Sequence, residues 1–160
     1  MIKDMTTIGR AERALLPELS GKRIPVKVDT GADACSIWAH VTDVKNGKLH
    51  VVFFGPGSSY YDGREHVFHS KDYSLTRVAN SFGHREIRYK LKLKITIKNR
   101  TIKGTFTLSD RSKKLYPILI GRSLLKNKFL VDVAKGSPLI AEEKERAKKL
   151  KIELENGEKI

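Results

Sequence analysis

Ile24-Pro25-Val26-Lys27-Val28-Asp29-Thr30-Gly31-Ala32-Asp33 is the stretch whose reading decides the fold. Ile24, Val26 and Val28 alternate with Pro25 and Lys27, the period of a half-buried strand. Asp29-Thr30-Gly31 then stops the strand and leaves a carboxylate on a tight turn. Upstream, Leu19 to Ile24 brackets Ser20-Gly21-Lys22-Arg23, read as a turn in which Gly21 supplies a positive φ. Downstream, Cys35, Ile37 and Trp38 resume an apolar pattern.

A second motif follows about ninety residues later, Ile118-Leu119-Ile120-Gly121-Arg122-Ser123-Leu124-Leu125. Between the two, Lys48 to Phe54 reads as a strand and Gly55 to Ser59 as a loop. Arg77 to Tyr89 reads as strand, tip and strand, with Asn80-Ser81-Phe82-Gly83-His84 at the tip. Leu91, Leu93, Ile95 and Ile97 alternate with lysines and Thr96, and Ile102 to Leu108 pairs back after Asn99-Arg100. Phe129 to Val133 is a further strand, and Ile8 belongs to a short one ahead of a loop. Ala141 to Lys151 is rich in Glu, Lys, Arg and Ala and reads as a helix with a thin apolar face, Ala147 and Leu150. Many short strands with Gly-bearing turns predict an all-β chain closed into a small barrel. The expected division is 1–140 as the domain and 141–160 as a charged helical tail.

The chain has 160 residues, with 32 basic and 18 acidic side chains and a net charge of +14. That length suits one domain with a real core. One cysteine, Cys35, forms no internal bridge, which points to a reducing compartment and to a small buried apolar role. No stretch approaches the roughly 20 apolar residues of a bilayer span, and no signal-peptide pattern opens the chain, so the expected location is cytoplasmic. The basic residues are diffuse, through 88–114, 122–128 and 144–151. The plain reading is a solvated Lys-rich surface; an acidic partner comes next, with nucleic acid the weaker form of it, because Phe82, Tyr89 and Tyr116 are too scattered for a base-stacking face.

Asp29-Thr30-Gly31 and Ile120-Gly121-Arg122, in this order and context, resemble the retropepsin-like aspartic proteases, the single-domain relatives of the retroviral proteases. The run Arg77, Asn80, Ser81, Gly83, His84, Glu86, Arg88 resembles a narrower bacterial and archaeal family labelled ATP-dependent zinc proteases. So do Leu108 to Ser112 and Tyr116-Pro117. The resemblance runs from about Ile8 to Ser137 and implies a retropepsin-like barrel.

It implies that Asp29 is the catalytic aspartate, and that a second copy supplies the other member of a dyad, making the protein a homodimer. Two carboxylates about 3 Å apart share one proton, so one activates water while the other protonates the leaving group. It implies that Thr30 bonds across the dimer, that Gly31 permits the close approach, and that Asp33 pairs bidentately with Arg122 beside Gly121. If buried, that pair would cost roughly 3–5 kcal/mol to break. Ala32 stands where many such enzymes carry a hydroxyl that favours the ionised carboxylate, so a pH optimum nearer neutral is expected. The Arg77–Tyr89 hairpin is the expected flap, with Arg77, Asn80, Ser81, Gly83, His84 and Arg88 as flap and substrate-binding residues.

The family's association with ATP-grasp ligases that add glutamate-type residues, together with the charge, suggests acidic or glutamylated peptides as substrates. Arg77, Arg85 and Arg88 would attract them. No cofactor is expected: there is no phosphate-binding loop and no His-Glu-x-x-His helix. Glu65, His66 and His69 do not read as helical, so no metal site is assigned. The alternatives are a catalytically silent peptide-binding or dimerisation module of the same fold and, further off, a basic nucleic-acid-binding barrel.

Overall fold

The computed structural model describes residues 4–79 and 82–157. In chain order the elements are β1 (Thr6–Ile8), β2 (Ala11–Leu15), β3 (Ile24–Val28), β4 (Cys35–Lys45), β5 (Lys48–Phe53) and β6 (Glu65–Phe68). There follow β7 (Tyr73–Ala79), β8 (Arg85–Ile97), β9 (Arg100–Ser109), β10 (Ile118–Ile120), α1 (Arg122–Leu125), β11 (Phe129–Val131) and α2 (Ile140–Glu155).

The sheet runs β10-β3-β2-β8-β9-β4, and β4 pairs back onto β10, so six strands close a ring. Closure removes the open edges that a sheet of this size would otherwise expose. The alternation expected along Leu91–Ile97 is observed: Leu91, Leu93, Ile95 and Ile97 point into the core with Phe106, Leu108, Ile118 and Ile120. Lys92 and Lys94 stand in solvent on the opposite face. β4 is long enough for two partnerships. Cys35 to Trp38 pair with β9, and its outer half pairs with β5 across an irregularity between Ala39 and Val41. β1 and β11 form a separate parallel pair.

Some expectations need correction. The segment after Ile8 is not a loop, because Ala11 to Leu15 forms β2, antiparallel to β3. Gly21 does not have a positive φ; the left-handed positions at hairpin tips include Gly47, Gly83 and Lys98. The flap and the following lysine-rich strand are one element, the thirteen-residue β8. Glu65 to Phe68, unassigned from sequence, pairs with β5.

α2 carries no buried residue. Its first turn is tied down by Glu143, which accepts hydrogen bonds from both terminal nitrogens of Arg10 at 3.1 and 3.2 Å and from the Tyr116 hydroxyl at 3.2 Å. The Arg10 guanidinium holds the Glu143 carboxyl below its ordinary value. Among the described residues no helix is long and apolar enough to cross a membrane.

Candidate active site

The loop from Asp29 to Ala34 joins β3 to β4, and β10 lies between those strands, parallel to β3 and antiparallel to β4. That placement explains why two motifs so far apart in sequence form one site. The Asp29 amide donates to the Ile120 carbonyl at 2.9 Å, extending the parallel ladder by one residue. Asp29 Oδ1 accepts the Gly31 amide at 2.9 Å, which folds the turn around the half-buried carboxylate. Thr30 and Gly31 are exposed at the rim.

α1 secures the loop from below. Its first amides would be orphaned at a helix start; here Arg122 N–H donates to the Ala32 carbonyl at 2.8 Å and Ser123 N–H to the Asp33 carbonyl at 3.0 Å. Gly121 is required by this crossing, since a Cβ there would lie 2.4 Å from the Ala34 oxygen and 2.9 Å from that of Ala32. The Gly121 amide meets the Cys35 sulfur at 3.3 Å. Cys35 is fully buried, and burial pushes its thiol up, which makes it an inert packing group.

The expected bidentate Asp33–Arg122 pair is not present in this chain. The closest approach is a single 3.7 Å contact, with the two side chains 90% and 53% exposed. The guanidinium instead donates to the Thr30 carbonyl at 3.1 Å. Arg122 therefore clips the loop through its backbone. The cost expected for a buried pair does not apply to one this exposed.

The β7–β8 hairpin lies between the two motifs in chain order, and its register sorts the expected flap residues. Thr76 faces Arg88 and Val78 faces Glu86, whereas Arg77 faces Ile87 and Ala79 faces Arg85. Thr76, Val78 and Arg88 are half-buried; Leu75, Arg77, Arg85 and Ile87 are exposed. Arg77 and Arg85 thus lie on the face opposite Arg88. Gly83 adopts φ of +78° in open space, and His84 beside it is exposed. Asn80 and Ser81 lie outside the described residues.

One residue was read from sequence only as part of the Leu108–Ser112 resemblance, with no role given to it. Arg111 is half-buried, with Nε donating to the Tyr116 carbonyl at 2.9 Å. Burial first, and then Arg88, hold its guanidinium below the ordinary value, while Asp29 opposes them. Arg111 therefore feels both the Asp29 carboxylate and the Arg88 guanidinium, which is itself paired with Glu86. The signal available was positional: Ser109-Asp110-Arg111-Ser112 immediately precedes the strand that carries the second motif.

Glu65, His66 and His69 do not converge. On β6, Glu65 and His66 point to opposite faces. Glu65 bonds His50 Nδ1 at 2.6 Å, and the His66 ring packs edge-on against Phe53 at 5.4 Å. Among the described residues no three metal-ligating side chains gather.

The family model described as "Retropepsin-like aspartic endopeptidase RimB" (RimB-like) matches residues 7–141. The chain belongs to the RimB-like family. The match spans both motifs and the flap and ends at the start of α2. A crystal structure of the Legionella pneumophila protein Lpg0085, described as of unknown function (DUF785), is similar at a TM-score of 0.60 and 22% identity. The similarity covers 82% of this chain and 95% of that one, and it shows the shared fold. No curated protein matches the sequence.

Proposed function

We propose that this RimB-like chain is a homodimeric aspartic endopeptidase. One Asp29 from each copy would meet at a twofold axis and hold a water between them. The ionised carboxylate takes a proton from that water as it attacks the scissile carbonyl. The protonated one gives its proton to the leaving amine. The observation that carries this reading is the pinned turn, which holds Asp29 half-buried while leaving Thr30 and Gly31 exposed for a second copy. A hollow of about 590 Å³ beside the loop, lined by Thr30, Asp33, Leu125, Leu130 and Val131 among others, supports a partner seated there. A symmetric contact on this face repeats the same surface on both subunits.

The substrate class rests on Arg111, whose guanidinium feels both the Asp29 carboxylate and the Arg88 cation that Glu86 pairs. A cation near that carboxylate favours an acidic side chain next to the cleaved bond. Acidic or glutamylated peptides fit, including the products of ATP-grasp ligases that add glutamate residues. A reducing, cytoplasmic setting suits the free Cys35 thiol.

The test is cleavage of a peptide library that includes polyglutamate, by wild type and Asp29→Asn, with sedimentation of the same samples. Cleavage by wild type alone, with both proteins dimeric, is expected. A stable dimer that cleaves nothing would point to a binding module instead.

A further inference from the structure

β8 does not end at the flap. Beyond Arg88, the same face of the strand carries Lys90, Lys92 and Lys94, because side chains two apart share a face. From Arg88 to Lys94 this row covers about 20 Å at the rise of a strand, with a charge roughly every 6.8 Å. Lys103 on β9 sits directly opposite Lys94. Like charges directly opposite are unfavourable in a sheet, so folding alone does not explain the pair. Among the described residues no carboxylate lies within 4.0 Å of the ammonium group of any of these four lysines, whereas Lys45, Lys98 and Lys135 are paired, and Arg88 at the head of the row is paired with Glu86.

The row borders a hollow of about 650 Å³, to which Lys71 adds a further cation. Glu18 and Asp72 also line it, but Glu18 Oε1 is occupied by the Lys94 amide at 2.7 Å. The neighbouring positions on β9 are Thr101 and Thr105, short polar side chains, and Phe68 and Tyr73 complete the lining of the hollow.

We propose that this lysine face of β8 and β9 is an exosite for the acidic run of an extended peptide, leading away from the catalytic carboxylate. An extended peptide repeats its side chains on one face at the same interval as the lysines, since both are strands. The row starts at Arg88, which, like Asp29, acts on Arg111, and this continuity with the proposed site favours a peptide over nucleic acid. This inference rests on the reading of the chain as a peptidase for acidic peptides, and binding tests it without requiring catalysis.

The experiment uses the full-length Asp29→Asn protein and the same protein carrying Lys90→Gln, Lys92→Gln, Lys94→Gln and Lys103→Gln. Binding is read by fluorescence anisotropy with labelled peptides of about four and about twelve glutamates, the longer able to reach from the loop past Lys94. The quadruple variant should bind the long peptide about tenfold more weakly, lose most of its salt dependence, and bind the short one as before. Equal binding of the long peptide would overturn the exosite. So would the same loss from Lys144→Gln, Lys148→Gln, Lys149→Gln and Lys151→Gln on α2, because net charge would then suffice. A loss confined to duplex RNA would also overturn it, in favour of a nucleic-acid surface. If wild type cleaves no acidic peptide while the lysine-dependent binding persists, the peptidase reading fails and the exosite stands.

Discussion

The Asp29 loop and the β7–β8 hairpin, the proposed catalytic loop and flap, are held in opposite ways. The loop is tied to β10 and α1 backbone to backbone, with Gly121 so close beneath it that no side chain fits. Among the described residues the flap's β7 pairs with nothing but β8, and past Tyr89 the strand leaves the core and exposes Ile87 and Arg85. Dense backbone bonding and burial make a region open only with the whole fold, whereas an exposed hairpin opens locally at small cost. The difference matches the division of labour in which a fixed carboxylate works beneath a cover that must admit a chain.

The largest effect should come from the fixed side. Asp29→Asn keeps an oxygen for the Gly31 amide, so the fold should hold while peptide cleavage falls on the order of a thousandfold; thermal melting and a cleavage assay read the two separately. Gly121→Ala attacks the same side through packing. Its Cβ would meet main-chain oxygen at 2.4 Å, so a loss of about 3 kcal/mol is expected, measured by urea denaturation. Gly83→Ala, at the flap tip, is the matched control. The space is open but φ is +78°, so about 1 kcal/mol should be lost, locally. Equal losses from the two glycines would erase the contrast between pinned loop and free flap.

Smaller effects sharpen it. Arg122→Lys removes the bond to the Thr30 carbonyl and an exposed ion pair, and should cost about 1 kcal/mol in urea titrations. Ala32→Ser offers the Asp29 carboxylate a hydroxyl, which favours its ionised form; the acidic limb of the pH–rate profile should move down. The smallest concerns α2. Glu143 is held below its ordinary value of 4.5 by Arg10, so its contribution is complete above 4.5 and fades as the pH falls through the lower folded value. Proteolysis of the α2 segment should quicken in acid for wild type, and Glu143→Gln should show that faster rate already at neutral pH.

The ring and the catalytic loop were legible in the sequence because their signals are local and strong. Val28-Asp29-Thr30-Gly31 is a strand followed by a turn, and Leu91 to Ile97 alternates without a break. What was hidden depends on contacts between distant segments. Arg111 becomes interesting only once β9 and β10 bring it near Asp29 and Arg88. The sidedness of Arg77, Arg85 and Arg88 needs the β7–β8 register, which hairpin spacing alone does not set to the residue. Arg122 was read correctly as a clip on the loop and wrongly in its grip, because a guanidinium can bond a carbonyl as readily as a carboxylate.

The insertion of β10 between β3 and β4 has a consequence for how the protein comes into being. Asp29 leaves the ribosome early, but the groups that hold its turn belong to Ile120, Arg122 and Ser123. A chain is made N-terminus first, and contacts between distant segments wait for both partners. Until the second motif has emerged, the nascent chain carries Asp29 on a turn without the groups that hold it, so the proposed site assembles only after both motifs are made.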